Sequence, residues 1–312
     1  MNEICYLNII PEEIIKYIIS LTENKVYDLC LVNKYFDNNC KIIRIVDNDK
    51  YPKLNNINLK ELININSLNL RFNGIITNEG IKGLTNLSSL NISFNNIITA
   101  IGIKELINLT SLNLSYNDII TDESIKGLIN LNFLSLKDNI KITDEGIRGL
   151  INLTSINLYN NKIITNGGIK ELTNLTSLVL YNNEMITDEG LKTLSKLTSL
   201  DLSENNNMIT DERLKRLIGL TSLSLSFNNM ITNKGIKTLI RLTSLNLSFN
   251  NVITNKGLKT LIGLTSLNIS FNNMITNEGI NKLTNLTSLD LSNNEIITDD
   301  EIKGLINIKK LK

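Results

Sequence analysis

Acidic side chains in adjacent pairs are the residues of this chain best equipped for chemistry. Pairs such as Asp122-Glu123 and Asp144-Glu145 supply the groups that general acid and base catalysis uses in a cleft. Each pair, however, falls at the same point of a recurring phrase, where a short helix is expected to begin. Carboxylates there favour the positive end of the helix dipole, so they read as helix starts and not as an acid/base couple. The 312 residues include no histidine, which removes the usual catalytic base and the commonest zinc ligand. No CxxC pair and no glycine-rich phosphate loop occurs. The glycines at 80, 102, 146, 168, 190, 235, 257 and 279 share one position of the phrase and are assigned to packing. The sequence therefore predicts no enzyme, no metal and no cofactor.

Binding is the remaining capacity. Most outward strand positions are Ser or Asn, as in Ser89, Asn91 and Ser93 or Ser244, Asn246 and Ser248. Phe133, Lys137, Asp138 and Tyr159 depart from that rule, as do Val179, Tyr181, Asp201 and Glu204. Aromatic and charged groups are what binding hot spots are made from, so these eight are the expected protein-binding residues. Two aromatic rows, Phe72-Phe94-Tyr116 and Phe227-Phe249-Phe271, flank them. Such rows would serve either as stacking platforms or as shields over the turn that follows each strand.

These residues are positioned by a repeat. The phrase LTSLNLSFNNVITNKGLKTLIG, residues 242–263, recurs with a period of 22 from Ile65 to Ile308. One step, Leu197 to Leu220, is 23 because of an extra Asn in Asn205-Asn206-Asn207. A period of this size signals a stacked array. Leu245 and Leu247, two apart, share one face of a short strand. Asn250 stands where the strand ends and can satisfy backbone groups that have left the ladder. Thr254-Asn255 offers a helix N-cap, and Leu258 and Leu261 share a helical face. Seven apolar positions per coil are expected inside: 242, 245, 247, 252, 253, 258 and 261. A single coil leaves its ladder unpaired, so the coils must stack to be stable.

The motif LxxLxLxxN resembles the leucine-rich repeat, and phrases such as Ile120-Thr121-Asp122-Glu123 resemble the ITDxGL stretch of the repeats found in F-box proteins. The resemblance implies an α/β fold, a leucine-rich-repeat solenoid with a parallel β-sheet on its concave face and short helices outside. It implies eleven repeats of 22–23 residues plus a terminal half-repeat over residues 65–312. Residues 41–64 keep the spacing of the repeat in decayed form and are expected to be a capping coil and junction.

Residues 1–40 do not fit the repeat. Their pattern, LxxxPxEIIxxIxxxL followed by DLxxxxLVNKxF, resembles the F-box, a small all-helical domain. The resemblance implies docking on a Skp1-like adaptor of a cullin-type ubiquitin ligase. The contact residues it implies are Leu7, Ile10, Pro11, Glu12, Ile14 and Ile15 at the start. Ile18, Leu29, Val32, Tyr35 and Phe36 complete that set. The whole chain would then be the substrate-recognition subunit of such a ligase, holding a protein substrate on the concave face. The alternatives are a free-standing interaction scaffold whose N-terminal helices are a cap, or a decoy that occupies the adaptor.

Bases and acids nearly balance, with a net charge of +1, which argues against nucleic acid or anionic membrane as a partner. Cys5, Cys30 and Cys40 are odd in number and precede the repeats, so no disulfide framework is indicated. The N-terminus lacks a secretory pattern, and no apolar run has membrane-spanning length. The expectation is a cytoplasmic or nuclear protein, monomeric within a larger complex.

Overall fold

The computed structural model describes residues 45–47, 54–60, 62, 65–204, 208–297, 302 and 304–312. The expected adaptor-docking residues, all within 1–40, lie outside the described residues, as do most of 41–53 and residues 205–207. The chain forms two compact units, the first ending at Asn130 and the second starting at Leu131.

The first unit alternates β1 (Ile45–Asp47), α1 (Asn56–Lys60), β2 (Ser67–Asn69), α2 (Asn78–Ile81), β3 (Ser89–Asn91), α3 (Ala100–Ile103), β4 (Ser111–Asn113) and α4 (Asp122–Ile125). The second continues with β5 (Phe133–Ser135), α5 (Asp144–Ile147), β6 (Ser155–Asn157), α6 (Asn166–Ile169), β7 (Ser177–Val179), β8 (Ser199–Asp201) and α7 (Asp211–Leu214). It ends with β9 (Ser222–Ser224), α8 (Asn233–Ile236), β10 (Ser244–Asn246), α9 (Asn255–Leu258), β11 (Ser266–Asn268), α10 (Asn277–Ile280), β12 (Ser288–Asp290) and β13 (Lys310–Leu311). Within each unit consecutive strands pair in parallel, one coil on from the last, as in Ser89↔Ser111 and Ser244↔Ser266. The 23-residue step is absorbed between the strands, because Ser199 still pairs with Ser222. β1 joins β2 in the same register, and Leu59 and Leu62 near it are buried. At the other end Lys312 approaches Asp290 to 4.0 Å.

The strands from β2 to β12 are only three residues long, and their central apolar residues, such as Leu245, are buried. Each outer helix is a single turn. In α3, Lys104 N–H donates to the Ala100 carbonyl, and Leu106 and Leu109 then donate to carbonyls three residues back. Six of the seven expected core positions are buried in the coil starting at Leu242. Position 252 is the exception: Val252 is half-buried, and its counterparts Ile75, Met230 and Met274 are 60%, 44% and 41% exposed. The cause is the preceding asparagine. Asn250 Oδ1 accepts from both Val252 N (3.1 Å) and Ile253 N (2.9 Å), and this curls the chain so that only Ile253 points inward.

That asparagine has a second role. Asn250 Nδ2 donates to the Asn228 carbonyl (2.6 Å) and the Leu225 carbonyl (3.2 Å) of the preceding coil. Asn272 does the same to Asn250 and Leu247, and Asn117 to Asn95 and Ile92. Every donor and acceptor of a fully buried amide is thereby used.

A second clamp runs along the outer side. Asn233 Oδ1 accepts from Thr254 N, and its Nδ2 donates to Thr254 Oγ1, both at 3.0 Å. Asp144 holds Thr165 at the same two points but accepts at both, from Thr165 N at 2.8 Å and from Thr165 Oγ1 at 2.5 Å. The first acid of the pair at 144–145 is therefore a bridge between coils, while Glu145 pairs with Arg148 at 2.9 Å on the surface. The recurring glycine follows from this clamp: a Cβ on Gly257 would lie 2.6 Å from Asn233 Oδ1.

Asn250→Ala strands three backbone groups, the N–H of Val252 and of Ile253 and the Asn228 carbonyl, and should destabilise the protein by about 3 kcal/mol or more, whereas the exposed Asn251→Ala should stay within about 0.5 kcal/mol. Denaturant unfolding of the two variants measures the difference. Gly257→Ala should break the Asn233 clamp and lower the melting temperature. Gly149→Ala, whose Cβ meets nothing, should leave it unchanged or raise it.

Candidate protein-binding site

The strand face is more self-satisfied than its composition suggests. Asn246 Oδ1 accepts from Ser248 N at 3.0 Å, and Asn91 and Asn268 repeat this with Ser93 and Ser270. These amides therefore spend an acceptor on their own strand ends. Asp201 is engaged similarly, accepting from Ser203 N (3.0 Å) and Ser203 Oγ (2.6 Å).

Five of the eight expected residues come together in the second unit. Lys137 Nζ sits 3.8 Å from the centre of the Tyr159 ring. Tyr159 stacks on Tyr181 at 4.2 Å with an interplanar angle of 6°. Tyr181 Oη then donates to Glu204 Oε1 at 2.8 Å. Beside this row Asp138 accepts from Asn160 Nδ2, and Asn160 Oδ1 accepts from Asn182 Nδ2 at 3.0 Å. Val179 and Asp201 face each other on β7 and β8, one strand position away. Phe133 stands apart on β5, opposite Ser155 and 37% exposed. The row is thus a cation, two flat rings and an anion, held one per coil by the sheet register. Its members are half-buried, and so pre-ordered before any partner arrives.

Burial raises the Tyr181 phenol well above the ordinary tyrosine range, and its hydrogen bonds to Glu204 and Tyr159 add to the shift. The neutral phenol is the form that donates to the Glu204 carboxylate.

Sequence reasoning missed the backbone beneath these rows. The residue before each buried asparagine is left-handed, from Phe72 (φ 55°) through Asp138 (φ 50°) and Asn182 (φ 47°) to Phe271 (φ 53°). Asn and Asp tolerate that conformation, but for Phe or Tyr it costs on the order of 1 kcal/mol. The aromatic rows offset the strain by stacking: Phe227, Phe249 and Phe271 are 4.2 Å apart, and Phe72, Phe94 and Tyr116 are 4.2–4.4 Å apart. Arg71 adds a cation over Phe72 at 4.8 Å. Between these rows the left-handed position passes to Asp138, Asn160, Asn182 and Glu204, and the rings move one residue earlier, to Tyr159 and Tyr181. Asn and Asp at those positions were the available signal.

Comparison with known proteins agrees with this geometry. A leucine rich repeat family model matches residues 55–84, 83–107, 105–129, 171–195, 220–239, 242–261, 264–283 and 282–300, together more than half of the chain. The chain belongs to the leucine rich repeat family. Among solved structures it is similar to an internalin (inlF) from Listeria monocytogenes, at 28% identity and a TM-score of 0.57, covering 81% of this chain and 82% of that one. It is also similar to an internalin C2 (inlC2) from the same organism, at 28% identity and a TM-score of 0.51, covering 68% and 91%. The yeast Rad7 and Elc1 complex contains a chain of the same fold, at 18% identity and a TM-score of 0.52, covering 96% of each. No curated protein matches the sequence. Among the described residues no helix is long and apolar enough to cross a membrane, and no group of three or more His, Cys, Asp or Glu could hold a metal ion.

On titration with base, Tyr181 should ionise above the ordinary tyrosine range, leaving a late step in the phenolate absorbance that Tyr181→Phe removes. Because the folded value lies above the unfolded one of about 10, the stabilisation is intact below that pH and is lost as the pH rises beyond it.

Proposed function

We propose that this leucine rich repeat protein is the substrate-recognition subunit of a cullin-type ubiquitin ligase. In that reading the strand face holds a protein substrate, with the Lys137–Tyr159–Tyr181–Glu204 row as its anchor. Leucine-rich repeats are protein-interaction scaffolds, and the row supports a protein ligand in particular. It presents aromatic faces flanked by one charge of each sign, and large rigid rings contribute contact area at low entropic cost. Phe133, Val179 and Asp201 would line the approach to it. The adaptor role is carried by the sequence pattern from Leu7 to Phe36, with residues 41–64 as the capping coil between it and the repeats.

A second reading is a free-standing scaffold. It is favoured by the 28% identity to the internalins and by a family match that begins at residue 55. One experiment separates the two. Purified full-length protein is passed over an immobilised Skp1-like adaptor, alongside a Pro11→Ala/Ile14→Asp variant whose repeats retain their circular dichroism. Binding by the parent and its loss in the variant is the expected result. Failure of the folded parent to bind would overturn the ligase reading and leave the scaffold.

A further inference from the structure

The balanced net charge conceals a segregated one. From Arg213 to Asn277 the chain contains no acidic residue, yet it carries five lysines and three arginines. Every earlier coil from Ile65 onward has at least one Asp or Glu. None of these bases lies on the outward strand positions of β9, β10 and β11, which are Ser and Asn. They sit instead on the helical side, where Lys234, Lys237, Arg241, Lys256 and Lys259 are exposed and make no ion pair among the described residues. Just before this run Glu212 is held below the usual carboxylate range, first by its hydrogen bond to Lys215 and further by Arg216 and Lys234.

Helix stability does not account for this placement. Lys234 and Lys256 occupy the second residue of the one-turn helices α8 and α9. The corresponding residue is Glu123 in α4, Glu145 in α5, Glu212 in α7 and Glu278 in α10. An acid favours that end of a helix and a cation opposes it, so the two lysines stand against local stability. Exposed isoleucines lie beside them: Ile218, Ile240 and Ile262 are 63%, 66% and 59% exposed. The same position is an exposed isoleucine in earlier coils, at Ile107, Ile129 and Ile151, but acids such as Glu105, Glu123 and Glu145 accompany it there, so what distinguishes these coils is the unopposed positive charge around the isoleucines. Between α9 and α10 a groove of about 450 Å³ is lined by Lys256, Lys259, Glu278 and Lys282, with Leu258 and Leu283.

We propose that the helical side of the coils from α7 to α10 is a second docking surface, for a protein segment that carries acidic and apolar side chains in alternation. Each of the coils at α8 and α9 presents the same pairing, Lys237 with Ile240 and Lys259 with Ile262, three residues apart. A segment lying across the coils meets a cation and an apolar group at each step. The lysines alone would accept any polyanion, but the isoleucines favour a peptide. This side also lacks the aromatic platforms on which the bases of a single-stranded nucleic acid stack: its outward residues are chiefly Lys, Arg, Thr and Ile, with no Phe, Tyr or Trp. The surface is separate from the tyrosine row and independent of the ligase reading.

The test uses the full-length protein and a fluorescently labelled synthetic peptide of alternating Glu and Leu, followed by anisotropy at low and high salt. The peptide should bind and weaken as salt rises. Lys234→Glu/Lys256→Glu and Ile240→Ser/Ile262→Ser should each cost about tenfold or more in affinity. Lys234→Gln/Lys256→Gln removes charge without adding repulsion and relieves the unfavourable helix ends, so it keeps the fold and should also weaken binding. Unchanged affinity in the lysine variants or in the isoleucine variant would overturn the proposal. So would tighter binding of an oligouridylate, or of phosphatidylserine vesicles, than of the peptide.

Discussion

Nine of the described coils, from the one with Asn73 to the one with Asn272, depend on a buried asparagine amide. Its oxygen closes the turn of its own coil, and its nitrogen holds carbonyls of the coil before it. No other side chain has an acceptor and two donors on so short a stem, so aspartate or leucine at Asn250 would leave backbone groups unpaired. The left-handed residue that precedes it aims the amide inward, which is why that conformation persists even where the residue is phenylalanine. The one insertion confirms the hierarchy. With an extra residue in the coil before it, Asn228 Nδ2 still reaches back, to the Leu202 carbonyl at 2.9 Å, and the strand register is kept.

Because the amides and the Asx–threonine clamp carry the stacking, both outer surfaces of the coil are free to vary. Gly80, Gly190 and Gly279 remain glycine where the clamp leaves no room for a Cβ. The strand face and the exposed helix positions carry no such demand. Departures from the repeat phrase on those surfaces are therefore informative about binding. They fall into two groups, the tyrosine row from Lys137 to Glu204 and the acid-free run from Arg213 to Asn277.

Most of the fold was legible because one period constrains everything. The strand leucines, the turn asparagine and the threonine cap were readable from spacing alone, and Thr254 is the cap of α9. Position 252 misled, because two adjacent apolar residues after an asparagine look alike in sequence, and only the paired bonds to Asn250 Oδ1 decide which one turns inward. The residues of the tyrosine row were individually visible as exceptions. Their linkage was not, since it rests on the 22-residue offset between Lys137, Tyr159 and Tyr181 combined with parallel register. The basic run was missed for a simpler reason: a charge total averages over a surface that the fold separates into two sides.

The central claim is that the strand-face row from Lys137 to Glu204 grips a protein. Site-specific photo-crosslinking tests it most directly, with the probe placed at position 179 at the end of β7, two residues before Tyr181, in the full-length chain within its native cell extract. The account predicts one dominant cross-linked protein, lost when Lys137 and Tyr159 are both replaced by alanine. The same cross-link surviving that replacement, or appearing equally from a probe at exposed position 173 on the far side of the coil, would contradict it.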